Sequence, residues 1–268
     1  MASIRCRTLK RRWQEQRATI GARLEEQTRL MPPARRLRFE LVMEMVDGVG
    51  PGGPLRVLDA GAGEGLLAMT LARRHSDWEV VAADVDDAML DRGRRRAEDE
   101  GLRNLEFVRA DLTDDLGSEE FDLVLAVECL SEIPDDDAAL RAMARALRPG
   151  GRFMAHVPHR DWAPVLPGSP RTWRLEVRHG YGAEEFIGKL KQAGLTVASV
   201  QPTARNVVYL GQEIADRTKN SSLRVRAAAL PLTAGAVRLE RWGLTWGPGR
   251  ALLVDAHRAA PDTQRSLP

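Results

Sequence analysis

Three glycines at alternate positions behind an acid, in Val57-Leu58-Asp59-Ala60-Gly61-Ala62-Gly63-Glu64-Gly65, end an apolar strand in a turn built for close approach to a flat ligand. A Cβ at Gly61, Gly63 or Gly65 would occupy the space such a ligand needs. The turn fits a nucleoside. A phosphate-cradling loop would require Lys-Ser/Thr after its last glycine, and Leu66-Leu67 stands there instead. A dinucleotide site aims a helix N-terminus at a pyrophosphate, which Glu64 repels, so a cationic or uncharged ligand suits the turn better. Three further acids close apolar runs downstream: Asp84, Asp111 and Glu128. A carboxylate at a strand end can accept two hydroxyls as a pair, as a ribose presents them.

In these residues the chain resembles the class I, Rossmann-like S-adenosylmethionine-dependent methyltransferase family, of the small-molecule type. That family's first motif, a hydrophobic strand followed by D/E-x-G-x-G-x-G, is matched by Asp59 through Gly65 at every fixed position. Four more runs follow in the family's order: Val80-Val81-Ala82-Ala83-Asp84-Val85-Asp86, Val108-Arg109-Ala110-Asp111-Leu112, Phe121-Asp122-Leu123-Val124-Leu125-Ala126-Val127-Glu128 and Leu147-Arg148-Pro149-Gly150-Gly151. The resemblance covers residues 55–157 and implies S-adenosylmethionine as cofactor, S-adenosylhomocysteine as its product, and no metal. It implies Asp84 as the ribose ligand and Asp111 as acceptor of the adenine amino group, with Leu112 giving a backbone donor. Val85 and Met89 pack against adenine or belong to the core. Asp59 orients backbone groups and the methionine end. Glu128 faces the methionine moiety or the acceptor, where a carboxylate is useful beside a positive charge that disappears in the reaction.

Methyl transfer is an in-line displacement at the sulfonium methyl, and holding the two reactants in contact can supply up to ~7–11 kcal/mol of the barrier reduction. A base is needed only where the attacking atom must lose a proton. Many similar small-molecule enzymes place a Glu-His pair after the fourth strand, whereas this chain has Glu128-Cys129-Leu130-Ser131-Glu132, with Glu132 where the histidine would be. The fifth strand ends in His156-Val157-Pro158-His159. A metal reading of that pair lacks a third ligand. His159, just beyond the strand end, is the first candidate for a catalytic base and Glu132 the second. The following segment concentrates aromatic and basic residues, among them Trp162, Arg171, Trp173 and Tyr181, a candidate substrate surface through stacking and cation–π contact. Tyr181 has a structural alternative, because similar enzymes carry a tyrosine near the next helix start.

The elements that must position these residues follow from periodicity. Short apolar runs near 56–59, 79–84, 105–109, 121–127 and 152–157 alternate with helical patterns near 64–75, 87–100 and 135–148, which argues a parallel sheet covered on both faces. A helix near 183–193, a strand at 195–200 and a last strand at 251–256 complete a seven-stranded, mostly parallel Rossmann-like sheet, an α/β fold. Asp135 is the expected N-cap of the third helix, which Pro149-Gly150-Gly151 stops. Ahead of the core, helical stripes at 9–30 and from Ala34 are separated by Pro32-Pro33. Between the last two strands, where related enzymes have a short hairpin, a long insertion carries two helical patterns, the second kinked at Pro231. The expected organisation is an N-terminal helical segment at 1–54, a core at 55–202 plus 250–258, and an insertion at 203–249, with the two additions forming a cap over the ligand edge or a dimer contact.

The chain has 268 residues, 43% of them hydrophobic, and a net charge of +2, which bounds it to a globular protein with one large core and a modest appendage. Two cysteines without ligand spacing, the lack of a signal-peptide pattern and the absence of a spanning apolar run point to the cytoplasm. Residues 1–40 hold eleven Lys/Arg against four acids, but no aromatic-basic module of an RNA-binding domain accompanies them. The expected activity is methyl transfer to a hydroxyl, an amine or an electron-rich carbon of a small-molecule acceptor: a metabolite, natural product or saccharide. A homodimer is compatible, and nucleic acid is disfavoured as a partner. The alternatives are a nucleic-acid or protein methyltransferase, against which the absence of an Asn/Asp-Pro-Pro-Tyr/Phe motif counts, or a non-catalytic cofactor-binding subunit.

Overall fold

A computed structural model describes residues 31–49, 53–169 and 177–260. The helical stripe expected at 9–30, and Arg171 and Trp173, lie outside the described residues. Seven strands form one sheet: β1 (Arg56–Ala60), β2 (Glu79–Asp84), β3 (Leu105–Arg109), β4 (Phe121–Val127), β5 (Leu147–Pro158), β6 (Leu195–Thr203) and β7 (Ala251–Arg258). Their spatial order is β3-β2-β1-β4-β5-β7-β6, with β7 antiparallel to both neighbours and the other pairs parallel. The order in which successive strands are laid down reverses at β1, between β1 and β4, which opens the crevice where ligands of such sheets bind.

Successive residues alternate across the sheet and divide the core in two. Leu58, Val81, Val124 and Phe153 face one layer, where Leu140, Met143, Phe186 and Leu190 cover them. Val57, Val80, Leu123, Leu125 and Met154 face the other, covered by Val42, Met43, Met69 and Leu90. The covering helices are α1 (Pro33–Asp47), α2 (Leu66–Arg74), α3 (Asp87–Asp99), α4 (Asp136–Ala146) and α5 (Ala183–Gln192). Local chemistry sets their starts. Asp86 caps α3 by accepting from Ala88 and Met89 N–H, and Asp135 caps α4 through Ala138 N–H, each satisfying donors the first turn leaves open. The run Pro149-Gly150-Gly151 does not merely stop a helix: it is already inside β5, which starts at Leu147.

The insertion folds as two helices, α6 (Asn206–Thr218) and α7 (Leu223–Arg241). Helix α7 passes through Pro231 without ending. Both helices pack on α1, and Leu37, Val208 and Val237 form a small core of their own. The three helices meet at Gly211, where a Cβ would lie 2.7 Å from Ala236 Cβ and 3.3 Å from Pro33. Helix α1 and the two inserted helices are therefore one cluster. Among the described residues no helix is long and apolar enough to cross a membrane.

Candidate active site

The glycine turn follows β1 and is tied to β2, with Gly61 and Ala62 N–H both donating to the Ala83 carbonyl. Gly61, Gly63 and Gly65 all have positive φ. Their free faces differ. A Cβ on Gly61 would meet Cys129, and one on Gly65 would strike the Phe107 ring at 2.5 Å, so protein fills those two spaces. Nothing lies within 4 Å of a Cβ on Gly63. The Cβ side is thus open at Gly63 and packed against protein at Gly61 and Gly65.

Asp84 closes β2 and braces the turn: its Oδ2 accepts Gly63 N–H at 2.7 Å and its Oδ1 accepts Asp86 N–H at 2.9 Å. Each oxygen keeps a lone pair for a further donor. Val85 beside it is 59% exposed and is no core residue. Met89 is half-buried, with its sulfur 2.9 Å from Arg92 Nη2. Across β3, Asp111 forms a local turn with Thr113 N–H and Oγ1, which holds its carboxyl below the usual carboxylate range. Leu112 is buried in the core, leaving only its backbone for a ligand. A cavity of about 680 Å³ runs along the sheet here and reaches Val85, Ala110 and Asp111. It exists because no helix connects β3 to β4.

Four carboxyls converge below and beside the turn. Asp59 is buried, its Oδ2 accepting Ala68 N–H at 3.2 Å. Burial pushes its pKa up to about 7, against the opposing hydrogen bond, and the Asp84 charge adds to the rise. Glu132 sits in a 3-10 turn, Leu130–Glu132, where partial burial and then the charges of Asp84 and Glu128 raise its pKa. Cys129, between them, is raised by burial and by Asp59, Asp84 and Glu132. Glu128 occupies the left-handed region at φ 62°, a conformation non-glycine residues rarely adopt and one that clusters at functional sites. Its Oε1 lies 2.6 Å from His156 Nδ1 and its Oε2 3.1 Å from Arg38 Nη1 of α1. Burial works to raise the Glu128 pKa, but Arg38 and His156 outweigh it and hold it at about 2. Arg35, one turn before Arg38, carries an electrostatic interaction with Glu64. Helix α1 thus presents two arginines to the acids of the crevice.

The acceptor side differs from the sequence expectation in three places. His159 Nδ1 accepts Asp161 N–H at 3.2 Å, so the neutral ring carries its proton on Nε2 and offers a donor there rather than a base. His156 has the opposite tautomer: its Nδ1 must donate to the Glu128 carboxylate, which leaves Nε2 to Thr203 Oγ1 at 3.3 Å, and the ring is 3% exposed. Tyr181 is fully buried, its hydroxyl bonded to the Leu130 carbonyl and to Asp136, so it is a strut between α5 and the Glu128 loop and no substrate surface. Trp162 is also buried, stacked on Tyr209 of α6 at 5.7 Å. From α6, Glu213 grips the loop after β5 through Val165 N–H, Leu166 N–H and Ser169 Oγ. Sequence reading missed Arg35, Arg38, Tyr209 and Glu213, since none has a motif and each matters only through its packing. Among the described residues no three metal-binding side chains come together.

Comparison with known proteins agrees with this geometry. Residues 57–151 match the family described as methyltransferase domain. The ubiquinone/menaquinone biosynthesis C-methyltransferase UbiE of Idiomarina loihiensis is 38% identical over 112 residues, 41% of this chain and 45% of that protein. The chain thus spans under half the length of the curated relatives it matches. Among solved structures, phosphoethanolamine N-methyltransferase 2 of Haemonchus contortus, in complex with S-adenosyl-L-methionine, has 18% identity and a TM-score of 0.60, covering 81% of this chain and 52% of that one. The cyclase SpnF has 21% identity and a TM-score of 0.58, covering 78% and 77%. These likenesses show the fold, a Rossmann-like sheet, and the matched domain runs from β1 through the glycine turn and β4 to the first residues of β5.

Proposed function

We propose, from the premise that residues 57–151 form a class I methyltransferase domain, that this chain transfers a methyl group from S-adenosylmethionine to a small-molecule acceptor. The observation that carries the reading is the open face of Gly63 at a turn ringed by Asp59, Asp84, Glu128 and Glu132. Backbone alone lines the close approach, and the surrounding charge favours a cationic ligand and disfavours a phosphate. The residues fit the cofactor: Asp84 has lone pairs for two ribose hydroxyls, the exposed Val85 and half-buried Met89 give an apolar face for adenine, and Asp111 lines the same cavity as Val85. When bound, S-adenosylmethionine supplies an electrophilic methyl on a sulfonium.

The protein's own residues then orient and exclude water. Glu128, kept ionised by Arg38 and His156, holds negative charge at the crevice. The cluster of α1, α6 and α7 acts as a cap: Arg38 joins it to β4, and Glu213 joins it to the loop after β5. For an acceptor that must lose a proton, Glu132 is the better base, because its raised pKa increases its proton affinity while His159 presents a donor. Hydroxyl, amine and electron-rich carbon acceptors all fit this chemistry. The UbiE relatives, named as C-methyltransferases, favour carbon. A soluble, cytoplasmic setting for a metabolic acceptor is part of the proposal. The cyclase SpnF shares the fold, so the rival is a protein of this fold that transfers no methyl group. Calorimetry with S-adenosylhomocysteine, followed by donor consumption with a fractionated small-molecule extract, separates the two. Absence of binding would overturn the proposal, and binding without donor consumption would favour the rival.

A further inference from the structure

Two buried hydrogen-bond donors at the acceptor edge have no acceptor among the described residues: Arg250 Nη1 and Trp162 Nε1. Arg250 is 7% exposed and Trp162 5%. Both lie against one ring, that of Tyr209, with Arg250 Cζ 5.2 Å and the Trp162 ring 5.7 Å from its centroid. The rest of the guanidinium is fixed, since Nε and Nη2 both donate to Asn206 Oδ1, at 3.0 and 2.6 Å. A neutral amide oxygen thus holds a full positive charge. Glu213 acts on Arg250 electrostatically, yet its carboxylate is engaged by the loop after β5.

Arg250 lies at the C-terminal edge of the parallel strands. Arg250 immediately precedes β7, whose Ala251 pairs with Pro158 at the end of β5, and its carbonyl accepts His159 N–H. It therefore stands at the same sheet edge as Glu128, on the β5 and β7 side, away from the adenine end. Native proteins pair nearly all buried polar groups, and an unpaired buried donor points to an absent partner. A buried guanidinium with an unpaired Nη1 amino group is best relieved by an anionic oxygen, which forms a charge-assisted bond.

We propose that Arg250 and Trp162 form a carboxylate-recognition subsite for a planar acceptor, with Arg250 Nη1 and Trp162 Nε1 donating to the anionic group beside the Tyr209 ring. The substrate role rests on the methyl-transfer reading, but the binding is measurable without turnover. The full chain, saturated with S-adenosylhomocysteine, is titrated by calorimetry with 4-hydroxybenzoate and with 4-hydroxybenzamide, its uncharged counterpart. The acid should bind ~10-fold or more tightly than the amide. Arg250→Met should abolish that preference, and Trp162→Phe, which keeps an aromatic ring, should reduce it ~3- to 10-fold. Equal binding of acid and amide, no acid binding up to ~10 mM, or an undiminished preference in either variant would overturn the subsite. If Arg250→Met does not fold, Trp162→Phe decides by the same criterion. Intact S-adenosylhomocysteine binding without acid preference defeats the subsite alone, whereas failed S-adenosylhomocysteine binding defeats the methyl-transfer reading and leaves the acid preference to be judged separately.

Discussion

Arg38 Nη1 lies 3.1 Å from Glu128 Oε2, joining the helix that precedes the sheet to the end of its central strand. The other Glu128 oxygen takes His156, so one carboxylate links α1, β4 and β5 at the ligand edge. Removing the arginine should loosen the cap without touching the nucleoside side. Arg38→Met is expected to lower turnover ~10- to 100-fold, as small misplacements of reactants do. Its S-adenosylhomocysteine affinity should stay within ~3-fold, since Asp84 and Asp111 keep their own hydrogen bonds and a partly exposed ion pair is worth only a modest energy. Steady-state rates alongside calorimetry check this, and wild-type turnover would detach α1 from the acceptor.

Asp84→Ala should weaken S-adenosylhomocysteine binding by ~1–3 kcal/mol, the range for leaving buried donors unsatisfied. The loss has two sources, the ribose hydroxyls and the Gly63 N–H that Asp84 Oδ2 now holds. Asp84→Asn keeps an acceptor for Gly63 and should fall between. Unchanged affinity in both variants would remove Asp84 from the ribose site.

Stability should fall as pH rises from about 4 to 7. Asp59 binds its proton more tightly in the folded chain, where its pKa is about 7, than in the unfolded chain at its ordinary 3.8, so in that window the unfolded chain gains from ionisation while the native one stays neutral. The contribution is complete at low pH and is lost through pH 7, by up to ~4 kcal/mol. Glu128 acts oppositely, with a folded pKa of about 2, and its stabilisation is lost only as pH falls below the ordinary carboxylate range. Denaturant midpoints at pH 5 and 8 should therefore differ in the wild type and differ less in Asp59→Asn. A wild-type midpoint that rises over this interval would contradict the assignment.

The two candidate bases should separate on substitution. Glu132→Gln is expected to lower the maximal rate by ~10²–10⁴ for an acceptor that loses a proton, with cofactor affinity unchanged. His159→Asn should cost less than ~10-fold, because Nδ1 already accepts from Asp161 and Nε2 carries the proton. The reverse ranking would show that the Asp161 turn opens during turnover.

Gly211→Val should damage the cap and spare the sheet. Its side chain would run into Ala236 and Pro33, where even a Cβ is 2.7 Å from its neighbour, and overpacking of this kind costs ~1–3 kcal/mol. Hydrogen exchange is the measurement: α6 and α7 should lose protection while β1 and β4 keep theirs. Uniform loss across the chain would mean that the cluster is integral to the core.

What the sequence determined by itself was everything carried by local pattern: the strands, α2 through α5, the Asp135 cap beside its helix start, the glycine turn, and Asp84 and Asp111 at their strand ends. Two-residue and 3.6-residue periodicities set those elements, and the ends of parallel strands necessarily share one edge. The two insertion helices were legible for the same reason. Tertiary structure alone decided what each side chain meets across that edge. What meets the Cβ side of Gly61 and Gly65 is decided by Cys129, from the loop after β4, and Phe107, from β3. His156 and His159 differ by three positions, yet the tautomer of each is set by a neighbour, Glu128 for one and the Asp161 backbone for the other. Tyr181 became a strut because Asp136 and the Leu130 carbonyl lie over its hydroxyl. Hydrogen bonds act over about 3 Å, and no periodicity along the chain encodes which distant residue arrives within that distance.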